Sequence, residues 1–134
     1  MKPEQRARHE LINPALEKAG WKIQHYTNAN PAGSKGVAVE YFQMGKEVGE
    51  ADYVLFINGI AVGVIEAKKV GQSLTGKETQ TKGYAVGFPK EFKSVSLPLP
   101  FIYESSGVET RFTNLWDPKP RSREIFSFHK PETL

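Results

Sequence analysis

The spacing of apolar residues changes along the chain, and each change marks an element. In "PEQRARHELINPALEKAGW", Leu11, Ile12, Ala15, Leu16 and Ala19 recur at three- and four-residue intervals, which predicts an amphipathic helix. Pro3 suits its first turn and Gly20 its end, while Pro14 falls inside and should kink it or split it in two. "WKIQHYT" then reads as a strand, "NANPAGSKG" as a loop, and the alternating "VAVEYFQ" as a second strand. After the polar, turn-rich "MGKEVGEA" comes "ADYVLFINGIAVGVIEAKK", two apolar runs around Asn58-Gly59, the strongest short-range signal for a β-hairpin. "GQSLTGKETQTKGYAVGF" predicts a second helix, capped by Ser73 or Thr75 with Glu78 in its first turns and Pro89 soon after its end. "LPFIYESS" and "TRFTNLW" add two strands around the turn "GVE". The order helix, strands, helix, strands predicts an α/β or α+β domain with a mixed central sheet.

Residues 1–117 form the expected domain. Residues 118–134 are rich in Pro and basic residues and carry Phe126 and Phe128. They are expected to be a linker, or an arm that packs on something.

The hairpin is apolar except where it matters. Asp52 lies near one end, and Glu66 and Lys68 at the other. With a two-residue turn, Ile57 would face Ile60 and Asp52 would face Ile65, which puts Glu66 on the opposite side of the sheet. One extra residue in the connection places Phe56 across from Val62, Ile57 across from Ala61, Val54 across from Val64, and Asp52 across from Glu66. Lys68, two residues on, then shares the face of Glu66. This register, or another of the same parity, is the one expected; Lys69 points the other way.

Composition narrows the chemistry. The 134 residues suffice for one domain with a real core. Without Cys there is no disulfide framework or thiolate metal site, and His9, His25 and His129 are too scattered for zinc. No apolar run approaches the roughly 20 residues of a membrane span, and the charged N-terminus is no signal peptide, so a cytoplasmic location is expected. A net charge of +3 permits nucleic acid as a partner without demanding it.

Carboxylates in facing positions sit roughly 4.5–5.5 Å apart at Cβ and repel unless a proton or a cation intervenes. An all-oxygen donor set suits Mg²⁺ or Mn²⁺, and Mg²⁺ commonly completes its shell with water and substrate phosphate. Lys68 beside such an ion would position a water or stabilise developing negative charge. Two acids and a lysine around one point are thus a kit for phosphodiester hydrolysis. The bland alternative is a hairpin whose charged ends are simply solvated.

In these residues the chain resembles the PD-(D/E)XK nuclease superfamily, and in particular the N-terminal nuclease domain of the type I restriction enzyme motor (R) subunit. The resemblance covers most of residues 4–115. It implies a restriction-endonuclease-like α/β core, with a mixed central sheet flanked by helices. It implies that Asp52 and Glu66 are the metal-binding acids, that the Ala67 carbonyl adds a ligand, and that Lys68 is the motif lysine; Ala51 stands where the superfamily's Pro is often found. Gln80 and Tyr84 in "QTKGY" fit the family's Q-x-x-x-Y motif, and Glu10 falls where many members keep an acid on the first helix. The implied activity is Mg²⁺-dependent cleavage of double-stranded DNA, with Mn²⁺ as substitute. The implied partners are DNA, ATP-driven motor domains, and methyltransferase and specificity subunits. No phosphate-binding G-x-x-x-x-G-K-[ST] loop occurs, so ATP chemistry is not expected of these residues, and a nuclease fragment or a stand-alone relative is. Lys77, Lys82, Lys90, Lys93, Arg121 and Arg123 are candidates for phosphate contacts. The competing reading is a catalytically inactive nuclease-fold domain that binds DNA or docks subunits. A plain protein-interaction module is a third, suggested only by Phe126 and Phe128.

Overall fold

The computed structural model describes residues 8–45, 49–74, 88–89 and 91–134. The proline conflict in the first helix is resolved by changing the helix type. Arg8–Ile12 form a π-helical turn, which runs directly into the short helix α1 (Asn13–Lys18), where Pro14 occupies the first turn. The wider π turn ahead of Pro14 relieves the clash of its ring with the carbonyl of the preceding turn. Gly20, with φ of 100°, ends the helix.

Among the described residues, eight strands form one mixed sheet. β1 (Lys22–His25) runs parallel to β2 (Gly36–Gly45); β2, β3 (Gly49–Ile57) and β4 (Ile60–Ala67) form an antiparallel meander. On the far edge of β4, β5 (Lys93–Ser94) and β6 (Phe101–Ser105) pair in parallel with its first and last residues respectively. β7 (Thr110–Asn114) and β8 (Arg123–Ile125) complete the sheet in antiparallel order. β5 and β8, of two and three residues, are too short to carry a pattern of their own. Most of the predicted second helix, 75–87 with Lys77, Gln80, Lys82 and Tyr84, falls outside the described residues, as does Lys90.

The hairpin register differs in detail from expectation. The turn is two residues long: Ile57 pairs with Ile60, and Phe56 with Ala61. Asn58 and Gly59 take φ of 51° and 82°, the mirror-image turn that Asn-Gly favours. The extra residue enters one step later, where Val62 bulges between the pairs Phe56–Ala61 and Leu55–Gly63. Beyond it, Val54 pairs with Val64 and Tyr53 with Ile65, so the expected parity is kept although the expected Ile57–Ala61 and Phe56–Val62 pairs are not. The physical reason is that the turn chemistry is local, whereas the bulge buries Val62 among Tyr53, Leu55 and Ile65.

Both faces of the sheet carry apolar clusters. One gathers Ile12, Leu16 and Trp21 with Tyr53, Leu55, Ile65, Tyr103, Phe112 and Phe128. The other holds Val39, Phe42, Val54, Phe56, Val64, Leu99 and Ile102. Phe42, fully buried, contacts the rings of Phe56, Phe88 and Phe92; burying a ring of that size contributes roughly 1.5–3 kcal/mol. The segment 118–134 takes the course of an arm. It adds β8 to the sheet edge, buries Phe128 in the first cluster, and lays Pro131 where a Cβ on Gly36 would meet its ring at 2.1 Å. Trp21 Nε1 donates to the His129 carbonyl at 2.8 Å, tying the arm to the start of β1.

Candidate functional site

The open end of the β3–β4 hairpin is where the regular ladder stops. The pairing of β3 with β4 ends at Tyr53–Ile65. At the end of β4, the Lys68 N–H donates to the Ser105 carbonyl of the neighbouring chain segment at 2.7 Å. Backbone groups of successive strand residues point to alternate edges, so the Ala67 N–H points back toward β3. In a continued ladder it would meet the carbonyl of Ala51. Instead it donates to Asp52 Oδ2 at 2.8 Å. A side chain has replaced the main chain as acceptor, and it sits against the peptide joining Glu66 to Ala67.

Glu66 is only 6% exposed and alternates with Val64, which places it on the face of the second cluster. Asp52 and Lys68 are half-buried; Ala67 is buried. The hydrogen bond joins Asp52 to Ala67, and Glu66 and Lys68 flank Ala67 along the chain. Glu10 is exposed on the π turn, and Lys69 is exposed just beyond β4. Asp52, Glu66 and Lys68 each make further interactions within the fold.

Sequence reasoning passed over Glu104. It is 3% exposed, sits directly beside Glu66 in the parallel β4–β6 register, and faces Arg111 on β7. Arg111 is held in place by Ser122, with Nε to the hydroxyl at 2.8 Å and Nη2 to the carbonyl at 2.9 Å. The signal was available: "VIEA" and "IYES" are both apolar strand ends interrupted by one Glu, and parallel pairing sets them side by side. Two buried carboxylates on adjacent strands strongly favour cations nearby. Farther along, Lys119, Arg121 and Arg123 line an open basic cleft with Asp117, Pro118 and Ser122.

Among the described residues, no group of three or more His, Asp or Glu side chains converges as a metal cage. A cation held here would rest on two carboxylates, backbone oxygen and water, which is the usual way proteins hold Mg²⁺.

The sequence and the fold have known counterparts. Residues 17–98 match the model of the family described as the type I restriction enzyme EcoKI endonuclease subunit second domain. The chain belongs to this family. The fold is similar to the fragment structure of a putative HsdR subunit of a type I restriction enzyme from Vibrio vulnificus YJ016, with a TM-score of 0.62 and 21% sequence identity. That likeness covers 96% of this chain and 24% of the other, so the chain spans about a quarter of that relative's length. No match was found among curated proteins. The architecture of this type I restriction enzyme domain is the expected restriction-endonuclease-like one, a mixed sheet with few helices among the described residues. None of those helices is long and apolar enough to cross a membrane.

Proposed function

We propose that this domain is a metal-dependent nuclease that cleaves double-stranded DNA as part of a type I restriction enzyme, with Asp52, Glu66 and Lys68 as its working residues. The observation that carries this reading is the 2.8 Å hydrogen bond from the Ala67 N–H to Asp52 Oδ2. It seats one acid on the backbone of the strand end that bears the other acid and the lysine. The donor set fits a hard divalent cation: Asp52 and Glu66 carboxylates, with the Ala67 carbonyl, which in an extended strand projects to the same edge as its N–H. Bound there, Mg²⁺ or Mn²⁺ supplies charge neutralisation at a phosphoryl oxygen and lowers the pKa of a water.

The chain's own residues do the rest. Glu66, buried beside Glu104, sets carboxylate oxygens side by side in a poorly hydrated place, an arrangement that a divalent cation relieves. Asp52 accepts the Ala67 amide through Oδ2, which fixes its carboxylate at the end of β4. The Lys68 ammonium, two residues from Glu66, orients the attacking water and stabilises charge on the phosphate as it develops. Lys119, Arg121 and Arg123 offer contacts to backbone phosphates, which would make binding independent of sequence and weaker in salt. Motor, methyltransferase and specificity subunits are the partners this reading requires, as is a supporting role for Gln80 and Tyr84.

The test is Mn²⁺ titration calorimetry of the 134-residue chain with a DNA duplex present, followed by plasmid cleavage. Wild type should bind the ion, Asp52→Ala and Glu66→Ala should not, and Lys68→Ala should bind it without cutting. Absence of Mn²⁺ binding by the wild type, or undiminished nicking by all three variants, rejects the assignment.

A further inference from the structure

Asp52 does not reach Ala67 by side-chain reach alone; the strand beneath it is turned over. In a regular strand, residues three apart lie on opposite faces. Yet Val39 and Phe42 of β2 share the second cluster, and so do Ala51 and Val54 of β3. The register of the two strands is unchanged across this point, with Glu40 paired to Tyr53 and Phe42 to Ala51. Both strands thus flip faces together, and the residues at the flip are Tyr41 and Asp52, which that register sets opposite each other.

Tyr41 has a φ of 58°, in the left-handed region that bulky residues rarely adopt. Its carbonyl is taken up by a side chain: Gln43 Nε2 donates to it at 3.0 Å and to Glu50 Oε2 at 2.9 Å. Its ring lies 5.1 Å from that of His25 on β1. An unfavourable backbone conformation held by its surroundings, directly across from an acid withdrawn from the ladder, is strain located at a site.

We propose that Tyr41 is the positioning residue for Asp52: its left-handed backbone turns the β2–β3 pair over, which carries the carboxylate out of the pleat and onto the Ala67 amide. This deepens the nuclease reading, and only its metal arm rests on that reading.

Three substitutions separate backbone from ring. Tyr41→Gly and Tyr41→Ala both remove the ring, and only glycine accepts the left-handed conformation freely; Tyr41→Asn tolerates it with a side chain. In a regular strand position alanine is better than glycine. Here the order should invert, with Tyr41→Gly melting several degrees above Tyr41→Ala. Amide exchange in metal-free protein reads the contact itself. Protection of the Ala67 amide should stay within about threefold of wild type in the Gly and Asn variants and drop about tenfold or more in the Ala variant, as it does in Asp52→Ala. Mn²⁺ affinity should follow the same order. The pivot is overturned if Tyr41→Ala melts above Tyr41→Gly, or if it retains full Ala67 protection. If wild type binds no Mn²⁺ at all, the nuclease assignment fails, and the melting and exchange results still decide the pivot.

Discussion

The two ends of the β3–β4 hairpin obey opposite rules. At the turn end every local choice agrees with the fold: Asn58 and Gly59 adopt the positive φ values their sequence favours, and apolar pairs close at once behind them. At the open end every local choice is contradicted. A tyrosine takes a glycine's conformation, a carboxylate stands in for a carbonyl, and Glu66 and Glu104 are buried side by side. The turn end holds the fold, and the open end draws on that stability to hold groups in places they would not choose. Conflict between local preference and structure is where chemistry is expected.

The sharpest way to break this comparison is to remove charge at the open end without changing shape. Glu66→Gln keeps the volume and neutralises a buried carboxylate. Its expected effect is a loss of Mn²⁺ affinity of about a hundredfold or more, roughly 2.7 kcal/mol. Its thermal midpoint should change little, because glutamine keeps the side chain's volume and a hydrogen-bonding oxygen. Calorimetry and a melting curve on the same sample check both halves. A variant that melts lower yet binds Mn²⁺ normally would make Glu66 a structural residue.

The reverse experiment acts on the turn. Gly59 has a φ of 82°, and a Cβ there would lie 3.3 Å from Ala32. Gly59→Ala should cost about 1–2 kcal/mol of stability, read as a lower urea midpoint with an unchanged slope. Mn²⁺ affinity should stay within about twofold. A parallel loss of ion binding would mean that the two ends are coupled rather than divided in labour.

The same division explains what the sequence disclosed. Asn58-Gly59, the apolar runs on either side and the placement of Asp52, Glu66 and Lys68 near strand ends are all local facts, and they were legible. Which residue carries the register shift was not. A longer turn and a bulge give the same parity, and the choice fell to Val62 because its side chain fits among Tyr53, Leu55 and Ile65, residues brought there by the fold. The flip at Tyr41 was hidden for a stronger reason: "VAVEYFQ" is a strand by every propensity, and its reversal appears only when β3 is laid beside it. Glu104 needed the parallel register before its nearness to Glu66 could be seen. Composition leaves the segment 118–134 open between a linker and a packing arm, and nothing in it names Trp21, Tyr103 and Gly36 as the partners that Phe128, His129 and Pro131 find.

That arm supplies the mildest test, because it is anchored by a titratable group on the face of the sheet opposite Glu66. His129 Nδ1 lies 2.7 Å from the Tyr103 hydroxyl, with Phe112 packed edge-on at 4.6 Å. Burial, and to a lesser degree the charge of Arg123, holds the His129 pKa below its usual value. Burial pushes the Tyr103 hydroxyl well above its own, so it stays a donor throughout. A neutral ring accepts that proton; a protonated ring has two N–H donors and cannot. Since the folded pKa is the depressed one, the stabilisation is complete above the unfolded value of about 6.5 and declines as the pH falls through it toward the folded value. The urea midpoint should therefore drop modestly between about pH 7.5 and 5.5, the ring being partly solvated. His129→Asn removes the titration and should flatten that stretch of the curve. Mn²⁺ binding measured at pH 7.5 should be the same in both proteins, since the arm packs on the first cluster and Glu66 lies on the face of the second. A slope that survives His129→Asn would mean that His129 does not carry the pH dependence.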